Sequence, residues 1–133
     1  MFDSQPAAND DAPIAPARCN TQQRRDAVAA ARALGVPASY GRERRLKIVR
    51  EPARLTCIGQ DIHGRDQWLT GPAALAWQRM RVAARGNGID LQVVSAFRSA
   101  SYQLEILRRK LDRGQLMDDI LKVSAAPGYS EHH

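Results

Sequence analysis

Residues 93–103 read VVSAFRSASYQ. The run leading into them, IDLQVVS (residues 89–95), carries its apolar bulk in Leu91, Val93 and Val94 and predicts a strand ending at Ser95. Ser99 or Ser101 then starts a helix with Leu104, Leu107 and Leu111 on one face, and Gly114 breaks it. Arg98 lies between the two elements. An arginine at a strand end beside a helix N-terminus offers a fixed fork of donors to a carboxylate or a developing oxyanion. Gln103, on the first turn or so of the helix, could add an amide hydrogen bond. An arginine in a loop is also commonly a surface residue or a capping partner, so the junction by itself leaves both readings open.

Upstream, Thr70 or Gly71 caps a helix whose first turn accepts Pro72 without losing a hydrogen bond. Ala73, Ala76, Trp77, Met80, Ala83 and Ala84 fall on one face, and Gly86-Asn87-Gly88 ends the helix. GQDIHGRDQW (residues 59–68) is a glycine-punctuated loop or hairpin, RLTCI (54–58) a short strand, and LKIVR (46–50) alternates like another. Asn20 or Thr21 caps a helix running to Leu34, closed by Gly35 and Pro37. Downstream, QLMDDILKV (115–123) is a short helix and SAAPGYSEHH (124–133) a loop. Residues 1–20 lack periodicity and predict a disordered leader; 21–59 form a basic N-terminal extension, and 60–133 the start of a core domain.

The chain of 133 residues is 44% apolar and 26% charged, which fits one soluble globular domain. No apolar run approaches the 18 or more residues of a membrane span, and the first residues lack the basic start and apolar core of a signal peptide. The net charge of +6 is uneven: −3 over residues 1–17, +7 over 18–50 and +2 over 51–133. That basic segment could attract an anionic cell-wall polymer, lipid or nucleic acid, or form a solvated arginine-rich surface. Only Tyr40 interleaves with its arginines, so the aromatic platform of a single-strand nucleic-acid binder is missing. Cys19 and Cys57 match no zinc-finger or redox spacing and read as two unrelated thiols, although a disulfide stays possible in an oxidising compartment.

The last residues, PGYSEHH (127–133), place two histidines in a row. In an extended chain neighbours point to opposite sides, so at most one of His132 and His133 faces a given site. Histidine is a common metal ligand, but a catalytic zinc needs three protein ligands plus a water position. A histidine pair at a terminus is also what a clipped purification tag leaves.

Taken together, Ser95-Ala96-Phe97-Arg98-Ser99 with Gln103, followed by Pro127-Gly128-Tyr129-Ser130-Glu131-His132, resemble the VanY-type D-alanyl-D-alanine carboxypeptidases. These are zinc peptidases of the lysostaphin, D-Ala-D-Ala peptidase and sonic hedgehog superfamily. The resemblance covers roughly residues 60–133. It implies an α+β fold, with helices packed on a small antiparallel sheet that is incomplete at the C-terminus. It also implies a Zn2+ cofactor and a peptidoglycan stem peptide as substrate, which would place the protein in the periplasm or cell envelope.

Residue by residue, it makes His132 the first zinc ligand and His133 the neighbouring, non-ligating position. Arg98 would hold the substrate's peptide oxygen or terminal carboxylate and stabilise the tetrahedral intermediate. Gln103 and Ser130 would lie along the substrate pocket. The chain departs from the pattern after His133. The family's aspartate ligand seven residues beyond the first histidine, its third ligand and its general-base glutamate have no counterpart in residues 1–133, and Glu131 sits at a variable position. The expectation is the N-terminal portion of a zinc peptidase, inactive by itself, or a non-catalytic basic module binding an anionic polymer.

Overall fold

The computed structural model describes residues 13–133. The first part of the expected leader, residues 1–12, lies outside the described residues. Along the chain run α1 (Thr21–Ala33), α2 (Tyr40–Glu43), β1 (Thr56–Gln60), β2 (Asp66–Leu69), α3 (Gly71–Gly86), α4 (Ala100–Asp112) and α5 (Met117–Val123). Among the described residues the sheet has two antiparallel strands, β1 and β2, so the fold class is α+β.

Local chemistry explains where the helices start. Asn20 closes a capping box on α1: its side chain accepts from Gln23 N at 2.8 Å, and the Gln23 side chain accepts from Asn20 N at 2.9 Å. The Ser99 hydroxyl accepts from Tyr102 N at 3.0 Å at the head of α4. Glu51, from the chain before β1, adds a second acceptor there, 3.3 Å from Ala100 N, while its other oxygen accepts from Cys19 N at 3.0 Å. One carboxylate thus ties the start of α4 to the approach of α1.

The core forms where α1 packs along α4. Ala27 and Ala31 of α1 meet Ala100, Leu104 and Leu107 of α4, and Val36, Tyr40, Ile120, Leu121 and Ala126 complete the cluster. Leu107 and Ile120 are wholly buried. Small alanines on both helices allow close approach, and the larger side chains fill the space beside them. Residues 21–59, expected as a basic extension, therefore share a core with the residues that carry the motifs. Arg44, inside the basic segment, is exposed but tethered: it donates to Leu121 O at 2.5 Å and lies 5.0 Å from the Tyr40 ring centroid.

The hairpin is organised by Asp61, whose side chain is fully buried. Its Oδ1 accepts from His63 N (2.7 Å) and Arg65 N (3.2 Å), and its Oδ2 from Arg65 Nε (2.8 Å) and Gln67 Nε2 (2.9 Å). Burial pushes this carboxyl's pKa up, but the four donors outweigh it and hold the value at about 2.

Two expected strands are not strands. LKIVR (46–50) leaves Leu46 and Ile48 exposed; Leu46 N closes back on Gly41 O at 2.8 Å, and Val49 N reaches Gly128 O at 2.8 Å, with no ladder beside either. IDLQVVS (89–95) runs without a ladder; one backbone bond, Ile62 N to Val93 O at 3.0 Å, links it to the hairpin, and Val94 is 60% exposed. Both runs have the alternation of a strand but no neighbour to pair with among the described residues. Helix α3 forms where expected, yet none of its residues is buried: Trp77 and Ala84 are half-covered, while Met80 lies open to solvent. Among the described residues no helix is long and apolar enough to cross a membrane.

Candidate functional site

The PGYSEHH loop folds back onto the strand-to-helix junction. Gly128 has φ +86, a conformation that costs an L side chain about 1–2 kcal/mol, and a Cβ built on it would lie 2.8 Å from Val28 Cγ2 of α1. Tyr129 packs edge-on to Tyr40 at 5.3 Å between ring centroids, and Ala126 N donates to the Tyr40 hydroxyl at 3.2 Å. The Ser130 hydroxyl accepts from His132 N at 3.1 Å and its carbonyl from His133 N at 3.2 Å, a local turn that sets the register of both histidines. His132 O then accepts from Arg98 N at 2.7 Å, joining the two motifs through main chain.

The two histidines are used differently. His133 Nδ1 lies 2.7 Å from Arg98 O, and Gly128 N lies 3.0 Å from its Nε2. A carbonyl only accepts and an N–H only donates, so Nδ1 carries the proton and Nε2 the lone pair. Both ring nitrogens are spent inside the fold. Burial lowers the pKa of His133, chiefly by disfavouring the charged ring. His132 Nδ1 lies 2.6 Å from Ala96 O, which again fixes the proton on Nδ1. Its Nε2 has no hydrogen-bond partner among the described residues, so the free lone pair faces outward on a ring whose tautomer is set from behind. That is the arrangement a metal-ligating imidazole needs.

Ala96 is itself held. Its N–H donates to Gln67 Oε1 at 2.8 Å, and the other end of the Gln67 amide donates to Asp61 at 2.9 Å. A chain of hydrogen bonds therefore runs from the buried Asp61 through Gln67 and the Ala96 peptide to His132. Sequence reasoning missed this chain; the signal was the position of Gln67 at the loop end of β2, which reads as an ordinary hairpin residue.

Arg98 donates from Nε to the Ser95 hydroxyl at 2.9 Å and from a terminal nitrogen to Gln103 Oε1 at 3.4 Å. Both partners are neutral, and among the described residues Arg98 forms no salt bridge. Partial burial lowers its pKa from the ordinary value, and the nearby charge of Arg65 acts in the same direction. A partly buried guanidinium without a carboxylate is set to receive an anion from outside. Gln103 and Ser130, expected along the substrate pocket, are 1% and 2% exposed. Gln103 spends its amide between Arg98 and Ala125 O, the latter at 2.8 Å. Neither residue lines a cleft that His132 or Arg98 lines.

His132 and the Arg98 side chain face two adjoining clefts rather than one. His132 opens on a mostly apolar cleft of about 500 Å³ with Leu55, Ile58, Leu69 and Trp77 in its walls. The Arg98 side chain opens on a second cleft of about 680 Å³ that holds Arg65, Tyr102 and Lys110. Val94, Ser95 and Phe97 line both and form the ridge between them.

His132 fits one position of a zinc shell. Among the described residues no three His, Cys, Asp or Glu side chains come together to hold a metal, and Glu131 is exposed. A family model described as D-alanyl-D-alanine carboxypeptidase (VanY) matches residues 66–133. Neither a curated protein nor a solved structure matches the chain.

Proposed function

The chain belongs to the VanY family of D-alanyl-D-alanine carboxypeptidases, and from that premise we propose that residues 1–133 supply His132 and Arg98 to a zinc peptidase acting on the D-alanyl-D-alanine ends of peptidoglycan stems. One observation carries the reading: of two adjacent histidines, the fold consumes both nitrogens of His133 and leaves Nε2 of His132 free on an oriented ring. Zinc, when bound, would lower the pKa of its water and polarise the scissile carbonyl. The chain's own residues bind and orient. Arg98 takes the terminal carboxylate or the peptide oxygen. Ser95 and Gln103 hold the guanidinium, and Ser130, Ala96 and Gln67 hold His132. A stem peptide lying across the Val94–Phe97 ridge would place its scissile bond toward His132 and its leaving residue toward Arg98.

Two further ligands and a general base have no counterpart among residues 1–133, so these residues by themselves should release no D-alanine. The alternative of a non-catalytic basic module draws on the charge of residues 18–50. It is weakened by Arg44, whose guanidinium is tied to Leu121 O, and by Arg18, which donates to Pro52 O and Ala53 O. The test is D-alanine release from an N-acylated D-alanyl-D-alanine peptide by the product of the native gene, with and without a chelator. The expected result is chelator-sensitive release that H132Q abolishes and R98Q lowers about 100- to 1,000-fold, the scale of about 2.7–4 kcal/mol for one oxyanion donor. Release that survives H132Q would overturn the proposal.

A further inference from the structure

The cleft that holds Arg98 is larger than one terminal alanine needs, and it continues along α4. Ser99, Tyr102, Ile106 and Lys110 line it. Tyr102, Ile106 and Lys110 are four residues apart and so form one helical stripe, about 12 Å long at 1.5 Å per residue. Arg98 stands at one end of this wall and Lys110 at the other. Ser124 faces Lys110: the ammonium donates to the Ser124 hydroxyl at 2.6 Å, a neutral partner that a carboxylate can replace.

The charges in this cleft are unbalanced. It is lined by Arg65, Arg98 and Lys110 against a single acid, Asp66. Arg65 is already paired with the buried Asp61 at 2.8 Å. Arg98 and Lys110 have no carboxylate partner among the described residues. Both are held by neutral oxygens instead, in a cleft whose remaining wall is partly apolar through Ile106 and Val123.

We propose that Lys110 is a specificity-determining residue of this cleft, forming with Arg98 a two-cation subsite for a leaving residue that carries a second acidic group. The inference rests on the reading of Arg98 given above. With the terminal carboxylate at Arg98, an acidic side chain on the same residue points along the α4 stripe. A flexible four-carbon lysine stem and the side chain of a terminal D-glutamate together bridge most of the distance. A terminal D-alanine gains nothing from Lys110.

The probes are two peptides of equal length, N-acetyl-(Nε-acetyl-L-lysyl)-D-alanyl-D-alanine and the same peptide ending in D-glutamate. Binding to the full chain is followed by calorimetry at low salt. The D-glutamate peptide should bind roughly fivefold more tightly, the scale of one partly exposed charge pair, and the margin should shrink as salt rises. K110Q should equalise the two peptides without changing the affinity for the D-alanine one. K110E should reverse the order, and K110R should keep the original preference, which separates charge from a folding defect. Equal affinities in the unaltered chain, or a K110Q that weakens both peptides alike, would overturn the subsite. R98Q reads the underlying proposal separately: if it leaves the D-alanine peptide's affinity unchanged, the assignment of Arg98 fails whatever Lys110 does.

Discussion

Replacing Gly128 by alanine tests the packing that delivers the histidines. The residue sits at φ +86, and the new methyl would lie 2.8 Å from Val28 Cγ2. The left-handed backbone costs an L residue about 1–2 kcal/mol, and forcing a methyl into a filled contact adds about 1–3 kcal/mol. The sum, roughly 2–5 kcal/mol, is a large part of the stability of a small domain. The two contributions can be separated because Val28 owns one of them and the backbone the other. V28A removes the clash but not the dihedral strain. In a double-mutant cycle, G128A should therefore cost about 1–3 kcal/mol less in the V28A background than alone. The assay is urea unfolding of the four proteins, followed by tryptophan fluorescence and circular dichroism. A G128A variant within 1 kcal/mol of the parent would refute the reasoning, and so would a cycle with no coupling between the two sites.

Two other substitutions probe the same region. H133A should destabilise the fold by about 1–3 kcal/mol, because it strands Gly128 N–H and Arg98 C=O together, whereas H132A removes one hydrogen bond and should cost about 1 kcal/mol; urea melts of the two variants should rank in that order. Asp61 gives a pH signature. Its folded pKa, about 2, lies below the ordinary 3.8, so the unfolded chain binds the proton first; the stabilisation is fully present above pH 3.8 and is lost as pH falls toward 2. D61N should be less stable than the parent at pH 7, and its midpoint should change less between pH 4 and pH 2.

The starts of α1 and α4 were readable because their caps, Asn20 with Gln23 and Ser99 with Tyr102, are local chemistry settled within a few residues; Thr70 precedes α3 without a side-chain cap bond, and the four-residue α2, also uncapped by a side chain, was not expected. The loop character of 124–133 was readable for the same reason. The runs at 46–50 and 89–95 were not, since alternation states what a strand would bury and not whether a partner lies beside it. Among the candidate residues, the motifs singled out Arg98 and His132, and the fold joins their two segments through Arg98 N and His132 O. The uses of Gln103 and Ser130 were not, because Ala125 O and the turn at His132 become their partners only after the chain has folded back. The chain from Asp61 through Gln67 to Ala96 joins residues whose adjacency depends on the hairpin register, which no single stretch encodes.

The packing of Val28 against Gly128, of Tyr40 against Tyr129, and of Val49 N on Gly128 O draws the motif loop onto residues that precede the matched span of 66–133. A homology boundary and a folding boundary therefore differ in this protein. A fragment cut at residue 66 would leave Leu104 and Leu107 without α1 and the Ala126 N–H without the Tyr40 hydroxyl. Transplanting the motif segment into another scaffold would succeed only if the graft carried, from Cys19 onward, the helix and the carboxylate of Glu51 that anchor it.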